Sequence, residues 1–115
     1  MLSIEEVNYD VVQGDTWTLD IVVKDDTGSL INFNGYTFEM EVRDREGGKV
    51  VCATASLGDG FTVTGLGEIT IELTPEKTKK FTLPRAKYQI QSVDQSGRRK
   101  TLGIGWFKVT AGTIG

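Results

Sequence analysis

Gln13-Gly14-Asp15-Thr16-Trp17-Thr18-Leu19-Asp20-Ile21-Val22-Val23-Lys24-Asp25-Asp26-Thr27-Gly28-Ser29 is the stretch whose reading decides the fold. Trp17, Leu19, Ile21 and Val23 alternate with Thr18, Asp20, Val22 and Lys24. A period of two with one mostly apolar face is the signature of a half-buried strand. Gly14-Asp15 opens the strand and Asp25-Asp26-Thr27-Gly28 closes it, both with turn-forming residues. The apolar set of this strand is therefore expected on the inner face of the core.

Working outward, the same punctuation recurs. Residues 7–12 form a short strand with Val7, Tyr9 and Val11 in phase, and Asn34-Gly35 is a strong turn pair after a short extended run at 30–33. Residues 36–42 alternate, with Phe38, Met40 and Val42 facing one way. Asp44-Arg45-Glu46-Gly47-Gly48 reads as a hairpin turn into a strand over 49–57. Gly58-Asp59-Gly60 breaks that strand before a short one at 61–64. Ile69, Ile71 and Leu73 give 68–73 a clean inward face. Strands over 88–93 and 100–110 flank the turn Asp94-Gln95-Ser96-Gly97. In the last strand Leu102, Ile104 and Trp106 share one phase, and Phe107 and Val109 the other. Gly103 and Gly105 lie at the switch, which predicts a bulge near Gly105.

One helical signal interrupts the strands. Thr74 can cap, Pro75 fits the first helical position, and Glu76 and the following lysines complement the helix dipole. This predicts one short helical turn near 75–80, packing over Phe81 or Leu83. About eight short strands with regular turns predict an all-β, antiparallel β-sandwich, with a small barrel as the competing architecture. The expected organisation is an N-terminal arm at 1–6, one β-sandwich domain at 7–110 and a C-terminal tail at 111–115.

The totals agree with one domain. The chain has 115 residues, 38% of them hydrophobic, with 14 glycines and 2 prolines. Its net charge of −3 argues against nucleic acid as a partner. Cys52 is the single cysteine, so no intrachain disulfide is possible. There is no histidine, which removes the usual general base and the commonest zinc ligand. No run approaches a membrane span, and the N-terminus lacks the apolar core of a signal peptide, so a chain made in a cytosol, and kept or assembled into something there, is expected.

Each candidate for chemistry has a plainer structural reading. Asp26-Thr27-Gly28-Ser29 matches the catalytic turn of retroviral-type aspartic proteases, in which two carboxylates share one proton on a dimer axis. Here Lys24-Asp25 precede it, where burial of the aspartate needs apolar residues, and hairpin-turn chemistry explains the same letters. The loop carboxylates Asp25, Asp26, Asp44, Glu46, Asp59 and Asp94 lack a calcium-loop pattern, although the turns at Asp25-Asp26 and Asp94 would form a weak site if they met. Lys77, Lys79, Lys80, Arg85 and Lys87 make one basic cluster and Arg98-Arg99-Lys100 another. These read as solvated surface or as contacts to an acidic neighbour. Trp17 and Trp106 fall in phase with apolar neighbours and are expected in the core; exposed, they would offer a sugar-binding platform. Cys52 reads as a buried small hydrophobe. No catalytic, cofactor-binding or metal-ligating residue is assigned, and no cofactor is expected.

The punctuation as a whole resembles a family. Gln13-Gly14-Asp15-Thr16, the strand ending in Asp26-Thr27-Gly28, Leu30-Ile31-Asn32-Phe33-Asn34-Gly35-Tyr36-Thr37 and Met40-Glu41-Val42-Arg43-Asp44 resemble small tailed-bacteriophage virion proteins. The likeness is to the immunoglobulin-like N-terminal domain of baseplate upper proteins and tail-fibre attachment modules. Gly67-Glu68-Ile69-Thr70-Ile71-Glu72-Leu73-Thr74-Pro75-Glu76 is similar to their strand-then-helix segment, and 88–94, Gly97, Leu102, Gly105 and Phe107-Lys108-Val109 to their closing hairpin. Arg85-Ala86-Lys87 departs from that pattern, where a small residue and glycine are expected. The resemblance implies an immunoglobulin-like sandwich acting in a virion by protein–protein assembly. It implies other virion proteins as partners, multi-copy or homo-oligomeric placement, no catalysis, no nucleic acid and no membrane. A head decoration or cement protein is the nearest alternative; a carbohydrate-binding module and an aspartic protease are distant ones.

Overall fold

A computed structural model describes residues 6–44 and 51–112. The protein is all-β, with strands β1 (Tyr9–Val12), β2 (Trp17–Val22), β3 (Thr37–Arg43), β4 (Val51–Leu57), β5 (Gly60–Gly65), β6 (Glu68–Leu73), β7 (Arg85–Val93) and β8 (Arg99–Thr110), and one helical turn, α1 (Pro75–Thr78). The strands form a single hydrogen-bonded sheet in the order β1-β8-β7-β3-β4-β5-β6-β2. The ladder is thinnest between β4 and β5, where only Ser56 with Gly60 and Leu57 with Phe61 pair across the Gly58-Asp59-Gly60 corner. That corner folds β5, β6 and β2 back over the other five strands. Phe38 of β3 stacks on Phe61 of β5 at 5.6 Å, and Trp17 of β2 meets Phe107 of β8 edge-on at 4.9 Å. The sheet is thus nearly closed, and its edge strands β1 and β2 meet through side chains, with Tyr9 and Trp17 5.3 Å apart.

Alternation drives the burial. Phe38, Met40, Val42, Ile69, Ile71, Leu73, Tyr88 and Ile90 are almost wholly buried. Full burial of each such side chain contributes roughly 1.5–3 kcal/mol before entropy is counted. Trp17, Leu19 and Ile21 face the same core but remain half-buried, because β2 has a neighbour on one side only, β6. Cys52 is buried and unpaired, as expected.

Several expectations are corrected. The antiparallel pattern fails at two junctions: β1 runs parallel to β8, and β4 parallel to β5. The register break in β8 falls at Leu102, the residue skipped between the pairs Ile90–Gly103 and Gln91–Thr101, and not at Gly105. Gly105 serves close approach instead: a Cβ there would overlap the Val7 carbonyl. α1 is the one short helical turn expected near 75–80, but Thr74 makes no side-chain cap. Phe81, not Leu83, is the residue packed beneath the turn. The hairpin turn at 45–48, the start of the strand at 49–50 and most of the expected arm and tail lie outside the described residues. Glu6, placed in the arm, bridges Ile104 of β8.

α1 closes one end of the sheet onto the β1–β2 turn. The Thr78 hydroxyl, fully buried, accepts from the Gly14 N–H at 3.0 Å and donates to the Asp15 carbonyl at 2.8 Å. Gln13 Nε2 donates to the Phe81 carbonyl at 2.9 Å. Lys77 reaches across to Asp59 at 2.9 Å, tying α1 to the β4–β5 corner.

Candidate functional site

The outer face of the β7–β8 hairpin carries the most distinctive surface chemistry. Beyond the break at Leu102 the even-numbered residues of β8 point outward, so Trp106 leaves the core in which sequence phase had placed it. Trp106 is half-exposed. The guanidinium carbon of Arg85 lies 4.3 Å from its ring centroid and the Lys87 ammonium 5.0 Å. Such contacts are worth about 0.5–1 kcal/mol each at exposed sites. The Trp106 backbone N–H donates to Asn8 Oδ1 at 2.9 Å, which fixes the residue where β1 has not yet begun to pair.

The basic side chains around Trp106 follow from register. Lys87 pairs across with Trp106, and Arg85 with Lys108. Period-two alternation sends Ala86, Tyr88, Phe107 and Val109 inward and leaves Arg85, Lys87, Trp106 and Lys108 outside. Asp10 of β1 is beside Lys108 in the parallel ladder. A groove of about 610 Å³ runs over this face, lined among others by Asn8, Tyr9, Asp10, Arg85, Trp106 and Lys108.

Beneath it, the Tyr88 hydroxyl donates to the Val7 carbonyl at 2.6 Å. Burial, and then the neighbouring Tyr9, push the Tyr88 phenol well above its ordinary pKa. It is a fastener for the segment before β1, not an acid–base group at neutral pH.

The sequence-derived candidates are scattered. Asp26 is exposed at a hairpin tip, without the burial that a shared-proton dyad needs. Asp25 is the carboxylate that organises the loop, accepting from the Thr27 N–H at 2.9 Å, the Thr27 hydroxyl at 2.6 Å and the Ser29 N–H at 3.0 Å. Asp94 repeats the device at the other hairpin tip with Ser96 and Arg98. Gly28 and Gly97 occupy matching left-handed positions at φ +86° and +87°. These bonds hold both carboxyls below the ordinary value, the Thr27 hydroxyl being the largest cause at Asp25 and the Ser96 hydroxyl at Asp94. Asp-x-Thr/Ser-Gly is therefore a loop-building pattern here. Among the described residues no three His, Cys, Asp or Glu side chains gather as a metal site. No described helix is long and apolar enough to cross a membrane.

The first basic cluster divides. Lys77 is engaged by Asp59, while Arg85 and Lys87 serve Trp106. In the second, Arg99 pairs with Glu39 at 2.9 Å beside an exposed hairpin tip. Trp17 packs against the core as expected.

No protein-family model matches this chain, and no curated protein matches it in sequence. The Trp106 face thus stands on its own geometry: an outward aromatic surface with the Arg85 and Lys87 cations against it.

Proposed function

We propose that this protein is a structural or adaptor component of a tailed-bacteriophage virion, with an immunoglobulin-like β-sandwich as its scaffold, acting by protein–protein assembly. The observation that carries the contact role is the Trp106 face, a large aromatic held on the outside of the sheet between Arg85 and Lys87. Rigid, half-exposed aromatic and arginine side chains are the usual anchors of protein interfaces. The free edge of β1 faces β2, where Tyr9 meets Trp17, so the contact role rests on the outward side chains of β7 and β8. The phage assignment rests on the resemblance in turn and strand punctuation over about residues 9–110, and the position it favours is the tail, baseplate or fibre attachment, in multiple copies. Head decoration is the alternative position.

Immunogold labelling of purified particles with an antibody to this chain tests the proposal. Gold at the tail or baseplate supports it. Gold over the heads moves the protein to a decoration role, and unlabelled particles overturn the reading. Trp106 also keeps a glycan reading in view, because an outward indole can stack a sugar ring; Trp17, packed in the core, offers no second platform.

A further inference from the structure

The charges around Trp106 are arranged at a cost. Arg85 and Lys108 are directly opposite each other on one face of the β7–β8 pair. Like charges in that relationship repel. Among the described residues neither forms an ion pair, and the nearest acid in register, Asp10, does not close on Lys108. Elsewhere on the same sheet the protein does supply partners: Glu41 for Arg43, Glu39 for Arg99. The guanidinium carbon of Arg85 lies 4.3 Å from the indole centroid, a contact that leaves its charge without a carboxylate partner among the described residues.

Cross-strand neighbours stand close enough for one carboxylate to reach both cations. The geometry points to an extended acidic segment of a partner protein as the occupant of this groove. One carboxylate of the segment lies between Arg85 and Lys108, and the residues beside it lie over Trp106. The acidic rim formed by Glu6 and Asp10 disfavours a continuous polyanion such as nucleic acid and suits a single well-placed carboxylate. The inference rests on the assembly reading and adds the chemistry of the partner to it.

A fluorescence titration of the full chain with a short peptide carrying a single glutamate among neutral residues, at low salt, tests the assignment. The expected result is a saturable change that disappears in Trp106→Phe. Arg85→Ala and Lys108→Ala each weaken binding roughly tenfold. Arg98→Ala combined with Lys100→Ala leaves it unchanged, and the Gln-substituted peptide gives no signal. No saturable response overturns the inference, as does equal weakening by the Arg98/Lys100 variant, which would mean unspecific charge attraction. Preferential binding of an oligogalacturonate through Arg85 and Lys108 overturns it in favour of an acidic glycan. A silent groove in a protein that is present in particles removes this inference alone. Absence from particles removes the assembly reading and leaves a positive titration standing.

Discussion

The carbonyl of Val7 lies directly against the α-carbon of Gly105, in the space a Cβ would fill. Tyr88, from the neighbouring strand, donates its hydroxyl to that same carbonyl. The segment before β1 is therefore held down by one missing side chain and one phenol. Gly105→Ala pushes Val7 off the sheet and destabilises the protein by about 1–3 kcal/mol. The check is equilibrium denaturation together with exchange of the Val7 amide, which donates to the Ile104 carbonyl. Unchanged protection of that amide in Gly105→Ala would refute the contact.

Tyr88 gives a pH prediction. Its folded-state pKa is raised above the ordinary 10.0, by burial first and by Tyr9 second. A raised folded-state value means that the stabilisation is complete below pH 10 and drains away as pH rises above it. In an alkaline titration of phenolate absorbance, one of the three tyrosines is expected to ionise only with unfolding. Tyr88→Phe removes that late step. Full ionisation of all three in a still-folded protein would contradict the burial.

The turn that opens the β2 strand depends on Thr78, a residue far along the chain. Thr78→Val keeps the shape and removes the acceptor for the half-buried Gly14 N–H. The expected loss is about 1–3 kcal/mol, and Thr78→Ser restores most of it. Equal stability of the Val and Ser variants in urea would show that the hydrogen bonds contribute nothing.

Arg85 and Lys108 are expected to repel in the free protein. A double-mutant cycle built on Arg85→Gln and Lys108→Gln should return an unfavourable coupling of about 0.2–1 kcal/mol, shrinking as salt is added. An attractive coupling would mean that the protein itself already bridges the two.

Much of this architecture is legible in the residues, and the failures have physical causes. Glu68–Leu73 was readable to the residue, because a central strand with Ile69, Ile71 and Leu73 in strict phase has only one way to bury them. Trp106 was misplaced by its phase with Leu102. A register break at Leu102 lets both Leu102 and Gly103 face the core and turns every later even-numbered residue outward. Gly105 was visible as an irregularity, but its reason is Val7, a contact between distant parts of the chain that no local pattern records. The parallel pairing of β1 with β8 is hidden for the same reason. Asp26 drew attention as a possible catalyst, whereas its neighbour Asp25 does the structural work, since the loop's amides converge on the first aspartate and not the second. The Trp106 site could have been anticipated only from the alternation of Arg85 and Lys87 opposite Trp106 and Lys108, once their register was known.

Quantitative mass spectrometry of purified virions decides whether this protein is a virion component. This chain is expected among the particle proteins, at a copy number that is a small multiple matching the symmetry of the tail or baseplate. Its absence from mature particles that contain the other structural proteins would contradict the account.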